Sequence, residues 1–271
     1  MSDLAISHTE ELLKKAQEAV TSVSISRSPG IDSDRKASFL FLFLKSLRTS
    51  RSIVALLSQN LCEDGMILMR SLLENQITYC WIKKNGDKAV IRFARHEYAT
   101  RLRKHELSRT KVIYHRDPEE IDYLLYQSKI EEKLKSLDEL LKKLDPKFDA
   151  KKQKKLDESG LWAGITLEEM AAELSSSKAL PNAKWLKDIP YTMGNEFVHP
   201  NPVTFWHYVQ ERDGKIEPLL SPQESMIDNI LMIVWKTILE LMRSLMEDLS
   251  LPWEEVIEQS ENRFQEVFSG R

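Results

Sequence analysis

Met66-Ile67-Leu68-Met69-Arg70-Ser71-Leu72-Leu73-Glu74-Asn75-Gln76-Ile77-Thr78-Tyr79-Cys80-Trp81-Ile82 is the stretch that decides the fold. Steps of three and four join Met66, Leu73, Ile77 and Trp81 into one apolar stripe, the spacing of a helix that buries one face. Arg70 lies on or beside that stripe, and Glu74 follows one turn later on the same side. Burying such an Arg/Glu pair is tolerable only with further hydrogen bonds, so the pair is expected either to fix helix register or to wall a charged pocket.

Working outward, Cys62-Glu63-Asp64-Gly65 reads as a short turn before this helix, and Asn85-Gly86 as its C-terminal stop. A link that short implies that the preceding helix, capped by Ser33 or Asp34 and running to about Leu61, packs antiparallel to it. Upstream, residues 3–22 form an amphipathic helix, and 24–33 a linker. Downstream, Asp87 caps a helix to about His115, and Asp117-Pro118 opens another to about Leu144. Asp145 to Gly160 is lysine-rich and reads as a frayed helix or loop. Thr166 and Glu169 form a capping box, and a helix from Ala183 to about Phe197 carries Pro190, which bends or interrupts it. Arg212-Asp213-Gly214, between short β-like runs, is a hairpin signal. A helix capped by Ser221 then reaches Leu249, and a last one follows Pro252. The expectation is an all-α fold, a multi-helix bundle with one small β-hairpin near 207–217. Residues 1–30 form an N-terminal helix and linker, and 31–271 a single helical domain.

Composition agrees. Of 271 residues, 42% are apolar, enough for a sizeable core, and only 8 glycines and 10 prolines occur. The two cysteines, Cys62 and Cys80, have no metal-type spacing and read as buried thiols. The N-terminus lacks the unbroken apolar core of a signal peptide, and the apolar runs Phe39 to Leu44 and Ile230 to Trp235 are too short to span a bilayer. A cytoplasmic protein without membrane contact is expected.

Charge is uneven. Between Arg92 and Arg116, eight Lys/Arg face only Glu97 and Glu106, a net of +6 in a chain of net −3. This is the sequence's clearest pointer to an anionic partner such as nucleic acid. The positive charges are nevertheless spread around the helix, as on a solvated, internally paired face. The stripe Ile91, Ala94, Tyr98, Leu102 continues through His105 and Arg109, and Arg95 lies in the same segment. A second polar constellation is Tyr191-Thr192-Met193-Gly194-Asn195-Glu196-Phe197-Val198-His199-Pro200. On a helix, Glu196 and His199 share a face, but no second Glu-x-x-His exists to complete a di-metal site. No metal or cofactor is expected, and no Walker loop, GxGxxG, HExxH or GxSxG occurs.

Met69-Arg70-Ser71-Leu72-Leu73-Glu74, followed about 120 residues later by Tyr191…Asn195…His199-Pro200, resembles the bacterial family catalogued as domain of unknown function 5677. That pattern is an Arg-Ser-Leu-Leu-Glu helix and a later Tyr-x-x-x-Ser-x-x-x-His-Pro-Ser segment. Asn195 and Asn201 stand here where it has Ser. The resemblance implies an all-helical character similar to HEPN proteins, many of which are dimeric ribonucleases of toxin or antiviral systems. Their Arg-to-His spacing occurs at Arg109 and His115, but six residues turn about 240° on a straight helix and the two side chains diverge. The sequence therefore leaves two functions open. One is a binding or assembly protein, with a homodimer or protein partner, built around a buried Arg70/Glu74/His199 cluster. The other is a metal-independent ribonuclease or nucleic-acid-binding protein using those three residues. In either case Tyr191, Asn195, Glu196, Arg95, His105 and Arg109 are the candidate binding residues.

Overall fold

The computed structural model describes residues 2–25, 30–110, 123–198, 204, 208–212, 214–218 and 224–268, without the side chains of 2, 105–110, 123–126, 210, 218, 224 and 225. Its elements are α1 (Ser2–Thr21), α2 (Ile31–Leu57), α3 (Cys62–Thr110), α4 (Tyr123–Leu144), α5 (Ala150–Glu158), α6 (Leu167–Ser176), α7 (Ala183–Leu186), a π-helical turn (Lys187–Tyr191), α8 (Thr192–Val198), β1 (Val209–Arg212), β2 (Lys215–Pro218), α9 (Glu224–Leu249) and α10 (Glu254–Phe268). The described residues form an all-α bundle carrying one two-stranded antiparallel hairpin, in which Arg212 faces Lys215. No described helix is long and apolar enough to cross a membrane.

The expected antiparallel pair forms the spine. At one end Leu57 packs on Gly65, in the middle Phe39 stacks on Tyr79 with centroids 4.6 Å apart, and at the far end Arg35 pairs with Asp87. The connecting turn sits at 58–61, four residues earlier than the sequence implied. There Asn60 takes a positive φ and the Leu61 N–H closes back on the Leu56 carbonyl, ending α2 before the Glu63-Asp64 start signal is reached. The start of α2 also differs: Gly30 is the N-cap, without a side-chain cap, and Ser33 and Asp34 lie inside the helix.

The expected stop at Asn85-Gly86 is a break within α3. Gly86 has φ 62° and ψ −146°, non-helical values that glycine adopts without a Cβ penalty, and the Asn85 amide caps the Trp81 carbonyl at 3.1 Å. α9 runs alongside the first half of α3 in the same direction, joined by Gln76 to Glu240 and by Lys83 to Glu247 at 2.7 Å. Tyr79 Oη adds a bond to Asp248 Oδ2 at 2.8 Å.

The main core packs Trp235, Tyr79, Phe43, Leu72, Leu73 and Ile77 between α1, α2, α3 and α9. A smaller cluster, Ile91, Ala94, Leu137 and Leu141, joins the second half of α3 to α4. Both cysteines are in or against the core, and burial pushes the Cys62 thiol up to about 11 and the Cys80 thiol up to about 12.

The lysine-rich stretch is not a frayed segment but contains helix α5, because Asp149 caps the Lys151 and Lys152 N–H groups at 2.8 and 3.2 Å and Gln153 and Asp157 are buried. A capped start and a buried face outweigh the repulsion among its lysines.

Candidate functional site

The start of α3 and the segment from α7 to α8 meet with almost no space between them. A Cβ on Gly194 would lie 2.5 Å from the Met66 carbonyl oxygen and 3.2 Å from Arg70 Cβ, so only glycine allows this approach. Just before it, Pro190 has no N–H to give and the backbone widens into the π turn Lys187–Tyr191. The Lys187 carbonyl accepts from the Thr192 hydroxyl at 3.1 Å.

This packing brings together residues about 120 positions apart. Arg70 Nη1 donates to Asn195 Oδ1 at 3.1 Å, and the Arg70 guanidinium sits 5.2 Å from the Tyr191 ring centroid. Lys187 Nζ lies 4.6 Å from the centroid of the same ring. Tyr191 thus has two cations within cation–π range. Neither Arg70 nor Lys187 has a carboxylate within 4 Å among the described residues, whereas Arg35, Lys83, Lys84, Lys88, Arg92, Arg95 and Arg243 all do.

Of the residues named from sequence, Arg70, Tyr191 and Asn195 converge, and Glu196 is half-buried on the same turn of α8. Glu74 does not join them. Its side chain is exposed and makes no ion pair with Arg70, because the guanidinium is drawn to the Tyr191 face and the Asn195 amide while the carboxylate stays hydrated. The cluster is accordingly half-open rather than buried. His199 lies outside the described residues. His105 and Arg109 lie on α3, and their side chains are outside the description.

Arg95 is taken up internally. At 5% exposure, its Nε bonds Asp138 Oδ1 at 2.5 Å and its Nη1 pairs with Asp157, clamping α3 to α4 and α5. Arg92 Nη1 likewise bonds the Ala163 carbonyl at 2.9 Å, and Lys88 pairs with Asp145 at 2.6 Å. These pairs hold Asp145 below the usual carboxylate range, the Lys88 hydrogen bond foremost. Much of the described positive charge in this segment is therefore balanced by the chain's own acids.

A family model, "Family of unknown function (DUF5677)", matches residues 36–216, two thirds of the chain. The chain belongs to the DUF5677 family. The matched region contains both halves of the Arg70–Tyr191–Asn195 cluster, which this DUF5677 chain builds with an amide at 195. No curated protein and no solved structure matches.

A second polar group, which the sequence reading did not single out, lies between α3 and α9. Gln76 is clamped on both sides: Thr237 Oγ1 donates to its Oε1 at 3.2 Å, and its Nε2 donates to Glu240 Oε2. Burial raises the Glu240 carboxyl above its ordinary range, against the Arg243 and Lys236 charges and the Gln76 hydrogen bond. Folding therefore favours its protonated form. The stability this adds is full below the ordinary carboxylate range and is lost as pH rises through the raised value. Glu240→Gln, which removes the buried charge, is expected to raise Tm relative to wild type at pH 8 and to leave that difference smaller at pH 4. Calorimetric melts at the two pH values check this, and an equal difference at both contradicts it.

Proposed function

We propose that the protein is a binding protein for phosphate-bearing ligands, with a single-stranded RNA as the class that best suits it, and that Arg70, Lys187, Tyr191 and Asn195 form the contact. The observation that carries this reading is the pair of cations converging on one tyrosine ring, one of them held by a neutral amide and neither by a carboxylate. Arginine held by a neutral amide keeps N–H groups for a phosphate, and charge-assisted bonds of that kind are the strong ones. The tyrosine faces orient both cations without neutralising them.

Fluorescence anisotropy with a labelled RNA decamer tests the reading. Arg70→Gln and Lys187→Gln are each expected to weaken binding about tenfold, the factor that corresponds to one charge-assisted bond of about 1.5 kcal/mol. Lys36→Gln, which removes a cation already paired with Asp32 at 2.8 Å, should leave affinity unchanged. Equal affinity in wild type and Arg70→Gln would remove the proposal.

The same cluster suits a second reading, metal-independent RNA cleavage with His199 as general acid–base. It is favoured by the bond from Arg70 to Asn195, four residues before His199 in the chain. RNA length on a denaturing gel separates the two. Intact RNA supports binding alone, whereas cleavage that disappears in His199→Ala supports the ribonuclease.

A further inference from the structure

The polar group between α3 and α9 opens on a cavity of about 90 Å³, which shares no lining residue with the Arg70 cluster. Glu240 and Gln76 supply its polar wall, and Leu186, Met232 and Ile233 its apolar one. Trp185 also lines it, and its side chain is 51% exposed although indoles are usually covered.

The hydrogen bonds fix what this cavity offers. Gln76 has both amide ends engaged, its Oε1 by the Thr237 hydroxyl and one Nε2 hydrogen by Glu240 Oε2. Glu240 Oε1 makes no such bond, and no cation lies within 4 Å of the carboxylate among the described residues. The charges nearest it are accounted for on each packed element. On α9, Arg243 pairs with Glu261, and Lys236, which also lines the cavity, has its Nζ 5.3 Å from the Phe264 ring centroid. From α3 come only neutral groups, Gln76 and the Cys80 thiol, and from the α7 side Asn182 and Trp185. A partly buried carboxylate with no cation in contact is open to a cationic ligand, which its burial favours.

We propose that this cavity binds a primary ammonium group, with Glu240 Oε1 as its acceptor and Trp185 as its aromatic neighbour. Size and acceptor number choose the cation. The space is smaller than the roughly 150 Å³ cavity that takes benzene. One Glu240 oxygen already carries the Gln76 bond, and an ammonium, a compact point charge, is served by the other alone, whereas the bidentate fork of a guanidinium is best met by two free oxygens. The indole adds cation–π attraction.

The full chain, labelled with ¹⁵N, tests this by the indole N–H resonance of Trp185, assigned as the peak missing in Trp185→Phe. Titration with n-butylammonium chloride at pH 8 and fixed ionic strength is expected to shift that resonance saturably. n-Butanol, of the same shape without charge, should not. Glu240→Gln should raise the midpoint at least tenfold. Ile233→Phe, which fills the cavity and keeps the carboxylate, should abolish the shift, so either folded variant suffices. An equal response to butanol, no saturable shift, or a midpoint unchanged in either variant would overturn the proposal.

Discussion

Arg95→Met is expected to lower stability by about 3–5 kcal/mol in urea unfolding, the cost of breaking a buried ion pair from one side. Arg95 is nearly solvent-free, and Asp157 beneath it is 4% exposed. Among the described residues, Asp157 Oδ1 has only His96 Nδ1 and Gln153 Nε2, each at 3.4 Å, as further polar neighbours. Without the guanidinium, that carboxylate stays buried with two long contacts, and Asp138 loses its 2.5 Å bond. Replacing Arg95 and Asp157 together with apolar residues should recover part of the loss, because the unpaired charge goes with them. The same variant separates structure from binding. Since Arg95 is spent inside the protein, RNA affinity of folded Arg95→Met should stay within about twofold of wild type, well under the 1.4 kcal/mol that corresponds to tenfold. A stability loss under about 1 kcal/mol, or a tenfold loss of affinity, would contradict this assignment.

Gly194→Ala is expected to disturb stability and binding together. Its new Cβ would meet the Met66 carbonyl oxygen at 2.5 Å, a backbone atom that cannot swing aside as a side chain would. Overpacking of this kind costs about 1–3 kcal/mol, and the strain is relieved only by moving α8 away from α3. That movement separates Asn195 and Tyr191 from Arg70. The variant should therefore show a lower Tm and, in the folded protein, an RNA affinity reduced about as far as in Arg70→Gln. Wild-type affinity in Gly194→Ala would mean that the close approach does not serve the cluster. The prediction differs from that for Arg95, where stability falls and affinity does not.

Periodicity made the helices legible, and Arg212-Asp213-Gly214 the hairpin, because both signals are local. The meeting of Arg70 with Tyr191 and Asn195 was legible only as a recurring pair of motifs about 120 residues apart. Glu74 misled for a physical reason. Its spacing to Arg70 allows a pair, but a guanidinium offered an aromatic face and an amide oxygen leaves an exposed carboxylate to water. Lys187 was missed because its place depends on the widened turn at Pro190, which shifts the residues before Tyr191 off helical phase. Gly194 gave no signal beyond being a glycine in a helix, which is itself unfavourable and hence a clue to close packing. The partners of Arg95 come from 43 and 62 residues away, and those of Gln76 from 161 and 164, with no repeating spacing to reveal them. The basic segment was visible in sequence, but only the fold shows that its Arg92 and Arg95 are answered by Asp138, Asp145 and Asp157.

The central claim is that Arg70 and Lys187 together meet phosphate. Its most direct test is the salt dependence of RNA binding in wild type and in Arg70→Gln/Lys187→Gln. Each phosphate neutralised on a single strand contributes about 0.7 to the slope of log K against log salt concentration. The double variant should therefore show a slope shallower by about 1.4. Parallel slopes, whatever the affinity, would mean that these two cations do not contact phosphate.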